Sequence, residues 1–126
     1  MPQNARLRNS AEFRAVYGKG SRFDGRLVTV FILPNGLDYH RLGVTASRKM
    51  ARHAVDRNRA KRLLREAFRL SRPEFASLRT NYDWVFNVRR AIMGTKLDAV
   101  IEDLRRVLTQ VRRDEREASG NLACER

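Results

Sequence analysis

The 126 residues predict an α+β fold, a single-domain two-layer sandwich with helices on a small mixed sheet, and three observations carry that expectation. The hydrophobic pattern changes along the chain from a period of about 3.6 to about 2 and back, in the order helix, strand, strand, helix, strand, helix. Gly, Pro or Asn punctuates the changes of pattern. A strongly amphipathic helix lies between two strand-like runs, which calls for a strand-helix-strand crossover.

Asn9 or Ser10 can cap the first helix, and Asn9-x-x-Glu12 fits the capping box. That helix carries Phe13, Val16 and Tyr17 and stops at Gly18 or Gly20, where glycine can take the left-handed conformation. Residues 27–33 are rich in β-branched and aromatic side chains and read as a strand. Pro34-Asn35-Gly36 is a turn, and residues 41–47 return as a second strand, antiparallel to the first. A helix follows over residues 55–70, closed by Pro73. Residues 82–88 form a third strand. Thr95 caps a last helix with an apolar stripe of Leu97, Val100, Ile101, Leu104, Leu108 and Val111. From Asp114 the chain turns polar, so a domain of residues 1–113 is expected to precede a disordered tail of residues 114–126.

Charge points to the partner. Lys and Arg number 27 against 14 Asp and Glu, a net +13. Residues 48–72 hold ten of the cations (Arg48, Lys49, Arg52, Arg57, Arg59, Lys61, Arg62, Arg65, Arg69 and Arg72) against Asp56 and Glu66, a net +8. Such a density of like charge is self-repulsive until a polyanion neutralises it, and nucleic acid is the leading candidate. In the central helix Ala60, Leu63, Leu64, Ala67 and Phe68 gather on one arc, while Asn58, Lys61, Arg62, Arg65 and Arg69 fall on the opposite one. Cations repeated at i, i+4 stand about 6 Å apart. A merely solvated helix face would mix signs, and this arc has almost no acid to offset its charge.

Other classes find little to build on. Cys124 is the only cysteine, so no intrachain disulfide forms. No run approaches the ~18 apolar residues of a membrane span, and the chain is expected to be cytoplasmic. His40 and His53 are the only histidines, no Cys and His cluster fits zinc, and no glycine-rich phosphate loop is present. Both histidines are expected to be structural, and no catalytic residue is assigned.

The run Ala54-Val55-Asp56-Arg57-Asn58-Arg59-Ala60-Lys61-Arg62-Leu63-Leu64-Arg65-Glu66-Ala67-Phe68 resembles the Arg-Asn-Arg signature of the protein subunit of bacterial ribonuclease P. The stretch Arg41-Leu42-Gly43-Val44-Thr45-Ala46-Ser47-Arg48-Lys49 resembles the strand before it in that family, and Phe13-x-x-x-Tyr17 followed by Gly20 resembles its first helix. Tyr82-Asp83-Trp84-Val85 and the helix from Leu97 fall in the family's order, so the resemblance covers residues 5–113. Arg48 stands where lysine is common and Ala51 where some members have glycine.

The resemblance implies a left-handed crossover, in place of the usual right-handed one, as in a domain of a small-subunit ribosomal protein. It implies an accessory subunit of an endoribonuclease that works with a catalytic RNA, which uses magnesium to remove the 5′ leader of precursor tRNA. Arg57, Asn58, Arg59, Lys61, Arg62 and Arg65, flanked by Arg48, Lys49 and Arg52, would meet the catalytic RNA. Phe13 and Tyr17, one helical turn apart, would stack on the leader; Phe31 could do so or pack in the core. No metal held by the protein, membrane or obligate protein partner is implied. Three rivals differ in what they would bind or cut: a ribosomal or RNA-chaperone protein, a DNA-binding regulator, and a nuclease that needs no RNA.

Overall fold

The first helix starts where its cap dictates. In the computed structural model, which describes residues 6, 7 and 9–124 and side-chain surroundings as far as residue 117, Asn9 Oδ1 accepts the Glu12 N–H at 2.9 Å. Glu12 Oε1 in turn accepts the Asn9 N–H at 3.2 Å. This reciprocal pair opens α1, Ser10–Lys19, and satisfies two N–H groups that have no partner inside the helix. Gly18 lies within α1, and the chain leaves the helix at Gly20 with φ −82°, so the expected left-handed stop is not used. Gly20 is needed for room instead, since a Cβ there would stand 2.4 Å from the carbonyl oxygens of Val16 and Ile32.

Next comes a strand absent from the sequence reading, β1 (Ser21–Asp24), antiparallel to β2 (Val28–Pro34) with Ser21 opposite Ile32. Its four residues include one apolar side chain, Phe23, so there is no alternation to detect. The connection to β2 is tied down from afar. Asp103, buried on α4 (Leu97–Cys124), accepts the backbone N–H groups of Arg26 and Leu27 at 2.8 and 2.9 Å.

The sheet order is β1-β2-β4-β3, with β3 spanning Arg41–Thr45 and β4 Tyr82–Val88. The second strand was expected beside the first; β4 lies between them, antiparallel to β2 and parallel to β3. Burial explains the exchange. β4 is buried at all positions but Asn87, and a strand covered on both faces belongs in the middle of a sheet. Residues 35–40 accordingly form a wide loop in place of a hairpin turn, shaped by Gly36 at φ +68° and by Asn35 Oδ1 accepting the Leu37 N–H at 2.8 Å.

Parallel pairing of β3 with β4 supplies the expected crossover, built from α2 (Ala54–Leu70) and the short α3 (Arg72–Ala76). Pro73 does not close α2. The helix ends one turn earlier, with the Ser71 N–H on Ala67 O at 3.0 Å. Pro73 then sits in the first turn of α3, where no N–H is needed.

One face of the sheet, through Val30, Ile32, Leu42, Trp84 and Phe86, packs on Ala60, Leu64 and Phe68 of α2 and on Val100, Leu104 and Leu108 of α4. The other face carries α1, with Val16, Leu7 and Val85 buried together and Phe13, Phe31 and Leu33 partly buried beside them. Within the apolar stripe of α4, Val107 joins the expected residues, and Leu97 and Ile101 are partly buried. Thr95 is not its cap; the hydroxyl donates back to Ile92 O at 2.7 Å and closes the preceding turn.

The expected boundary at Asp114 falls inside α4, which continues to Cys124. Glu115 accepts the Tyr82 hydroxyl at 2.6 Å and the Arg79 N–H at 3.2 Å, so this turn docks through a polar contact that apolar periodicity does not reveal. Burial and the neighbouring Glu115 carboxylate push the Tyr82 hydroxyl up, keeping it a donor. Replacing Glu115 by Ala removes the acceptor of a partly buried hydroxyl. We expect a loss of about 1–2 kcal/mol, read as a lower denaturant midpoint.

His40 is a satisfied core residue. Its Nε2 donates to Phe75 O at 3.0 Å, and its Nδ1 accepts both the Tyr82 N–H and the Trp84 indole N–H at 3.0 Å. All three bonds suit the neutral ring with its proton on Nε2. Burial lowers the imidazole below its ordinary value, outweighing the Phe75 and Tyr82 backbone groups and the Glu115 charge. The unfolded chain then takes up this proton more readily than the folded one. Stability from His40 is therefore full above about pH 6.5 and falls as pH drops below it. His40→Ala should cost about 2–4 kcal/mol by stranding two donors and leaving a cavity, and should flatten the part of the melting temperature's fall between pH 7 and 5 that the wild type owes to this ring.

Candidate nucleic-acid interface

The polar arc of α2 is not uniform. Arg57 is half-buried, and its Nη1 donates to the carbonyls of Ala51 and Arg52 at 3.0 and 2.9 Å. Arg59 Nη2 donates to Thr95 O at 2.9 Å, joining the start of α2 to the turn before α4. Both keep further N–H groups of the guanidinium fork for a ligand. Asn58 and Arg62 are exposed and Lys61 partly so, and the side chains of all three have no hydrogen-bond or ion-pair partner among the described residues. Arg65 is half-buried, and burial together with the nearby Arg6 disfavours its charge.

The flanking cations stand on the loop between β3 and α2. Met50 and Ala51 are buried there, and the N–H groups of both bond Ser47 O at 3.1 and 3.3 Å. That anchored turn leaves Arg48, Lys49 and Arg52 exposed, and Arg57 holds its far end. The loop therefore presents its three cations from a fixed backbone.

The aromatic cluster lies on the α1 face of the sheet. Phe13 is set against Gly43 of β3, where a Cβ would come within 2.6 Å of its ring, so this aromatic serves packing first. Tyr17 differs: it is 39% exposed, donates its hydroxyl to Asn87 Oδ1 at 2.7 Å, and meets Phe31 edge-on with centroids 5.0 Å apart. Phe31 is partly buried against the core, and the Arg22 guanidinium lies 5.8 Å from its ring centroid. The structure thus brings Phe13, Tyr17 and Phe31 into one cluster and exposes Tyr17 most.

Asn87, Thr45 and Arg22 join this surface without having been singled out from the sequence. Thr45 also donates its hydroxyl to Asn87 Oδ1. Alternation along β4 places Asp83, Val85 and Asn87 opposite the face of Trp84 and Phe86, a signal legible only once β4 is seated beside β2. Asp83 is spent structurally: Arg41 donates Nε and Nη2 to it at 2.7 and 2.6 Å, and Nη1 to Glu12 at 2.7 Å. The Asp83 carboxylate accordingly holds the Arg41 guanidinium above its usual range.

Among the described residues no three His, Cys, Asp or Glu side chains are placed to hold a metal ion. No helix there is long and apolar enough to cross a membrane. The arrangement offers cations and exposed aromatic surface, the complements of phosphate and of unpaired bases.

Comparison with known proteins shows the family. The family model described as ribonuclease P matches residues 1–112. A ribonuclease P protein component of Clostridium kluyveri is 40% identical over 89 residues, covering 71% of this chain and 78% of that one. One from Caldanaerobacter subterraneus subsp. tengcongensis is 36% identical over 103 residues, covering 82% and 85%. Among solved structures, the RNase P protein of Staphylococcus aureus superposes with a TM-score of 0.72 at 27% identity, covering 83% of this chain and 93% of its own. That of Thermotoga maritima does so with 0.71 at 28% identity, covering 86% and 96%. With a family match over nearly its whole length and relatives of this similarity, the chain belongs to the ribonuclease P protein family.

Proposed function

We propose that this chain is the protein subunit of a bacterial ribonuclease P ribonucleoprotein, acting in the cytoplasm, and that it binds two RNAs on two faces of its sheet. Arg57, Asn58, Arg59, Lys61, Arg62 and Arg65 of α2, with Arg48, Lys49 and Arg52 of the preceding loop, meet the phosphates of the catalytic RNA. The Tyr17 and Phe31 cluster, backed by Phe13, receives the single-stranded 5′ leader of precursor tRNA. Magnesium-dependent hydrolysis belongs to the RNA on this reading.

The observation that carries the reading is the division of the acids. Glu12 and Asp83 serve Arg41 and Asp103 serves backbone N–H groups, while Lys61 and Arg62 have no carboxylate partner among the described residues. Cations left uncompensated in a row match a phosphate backbone, whose displaced counterions supply the binding energy. Among the described residues both surfaces and the core lie before Asp114, and Glu115 braces the base of β4 from the next turn of α4.

Reconstitution with the organism's catalytic RNA on labelled precursor tRNA tests the whole reading. The protein should lower the magnesium needed for leader removal and cut nothing by itself; cleavage by RNA-free protein would overturn it. Tyr17→Ala should weaken holoenzyme binding of precursor tRNA by about 1–3 kcal/mol, the range of one stacking contact, and leave mature tRNA unaffected. Equal losses for both tRNAs would remove the leader from the cleft. Lys61→Ala or Arg62→Ala should instead weaken assembly with the catalytic RNA and lower the salt slope by about 1 each.

A further inference from the structure

The segment before α1 adds itself to the outer edge of β3. Leu7 N–H bonds Leu42 O at 3.0 Å, and Arg6 pairs with Leu42 in a parallel bridge. Arg6 is thereby brought to the C-terminal half of α2, across an open groove of about 380 Å³ lined by Arg6, Leu42, Arg62, Arg65, Glu66 and Arg69. Glu66, the one acid of the groove, is taken: Arg69 donates both Nε and Nη2 to its carboxylate. Arg6, Arg62 and Arg65 are left with no carboxylate among the described residues.

Three uncompensated guanidinium groups around one hollow repel one another, and Arg65 bears the repulsion of Arg6 on top of partial burial. Nothing in the packing requires this. Leu42 supplies the apolar floor, and a neutral side chain at residue 6 could make the same backbone bridge. Guanidinium forks converging on a hollow are the complement of a tetrahedral oxyanion, which can accept two N–H groups from each.

We propose that this groove is a phosphate site assembled from two distant parts of the chain, Arg6 on one side and Arg62 with Arg65 on the other, and that it holds one phosphodiester of the catalytic RNA. The site rests on the function proposed above and extends it. Arg62 and Arg65 belong to the same arc as Asn58 and Lys61, so an RNA backbone lying along α2 runs into the groove at its far end. The occupant is assigned to the catalytic RNA in preference to the leader because the groove opens beside α2, whereas Tyr17 and Phe31 occupy the α1 side of the sheet. Filling it fastens the N-terminal segment to α2.

Inorganic phosphate, titrated into the full chain at constant ionic strength with chloride as control, is the first probe. Arginine Nε–H resonances report it. Those of Arg6 and Arg65 should move together along one saturating curve, and Arg6→Gln should weaken the response of Arg65 severalfold; an unchanged Arg65 titration in that variant overturns the shared site. The second arm measures assembly with the catalytic RNA. Arg6→Gln, which alters an exposed side chain, should lower the salt slope by about 1, as Lys61→Ala does. If Lys61→Ala has this effect and Arg6→Gln does not, the groove is not an RNA site while the reading of α2 stands. If neither has it, the reading of α2 fails and the groove's RNA assignment with it, whatever inorganic phosphate does. Saturation by chloride at equal ionic strength marks general screening and also overturns the site.

Discussion

The fork of Arg41 on Asp83 and Glu12 is the contact on which the arrangement of this molecule depends. Arg41 and Asp83 are register partners of the parallel β3–β4 pair, so their two hydrogen bonds lock the pairing that the crossover has to close. The third, to Glu12, fixes α1 across the same strands. Glu12 meanwhile completes the cap that starts α1. One guanidinium thus couples a helix start, a strand register and the seat of the aromatic cluster. Asp83 is 6% exposed, and loss of Arg41 would leave its charge buried without its ion-pair partner, which costs far more than the pair itself contributes.

A chain with a net +13 has to keep its acids where they do structural work. Asp103 holds the β1–β2 connection, Glu115 the base of β4, and Glu12 and Asp83 the sheet. None of these compensates the outer arc of α2. Separation of charge by role leaves the cationic surface free for a polyanion, at some cost in self-repulsion until one arrives.

The sequence made the helices and their apolar stripes legible because each repeats a signal over several turns, as the central helix does from Ala60 to Phe68. The capping box at Asn9 was legible because both partners sit within four residues of each other. Neighbour relations in the sheet were not. Nothing in residues 27–47 says that a strand beginning at Tyr82 will part β2 from β3; that follows from the burial of both faces of β4, a property of the whole fold. β1 escaped because an edge strand of four residues needs no apolar face. The polar arc of Asn58, Lys61, Arg62, Arg65 and Arg69 could be named from its spacing, whereas the places of Asn87 and Arg6 depend on strand order and on a bridge between distant segments. Continuation of α4 past Asp114 was hidden for a related reason, since its anchor is a carboxylate.

Tyr17 carries one more consequence. Its hydroxyl is tethered to Asn87 and its ring edge braced on Phe31, so the side chain holds one rotamer before anything binds. A freely rotating aromatic would surrender that freedom on stacking, a loss of conformational entropy that subtracts from affinity. Here the loss is taken during folding. The tether also leaves the ring's orientation indifferent to which base arrives, because Asn87 binds the oxygen of Tyr17 and not the ligand. A platform of this kind favours tolerance of base identity over discrimination among bases.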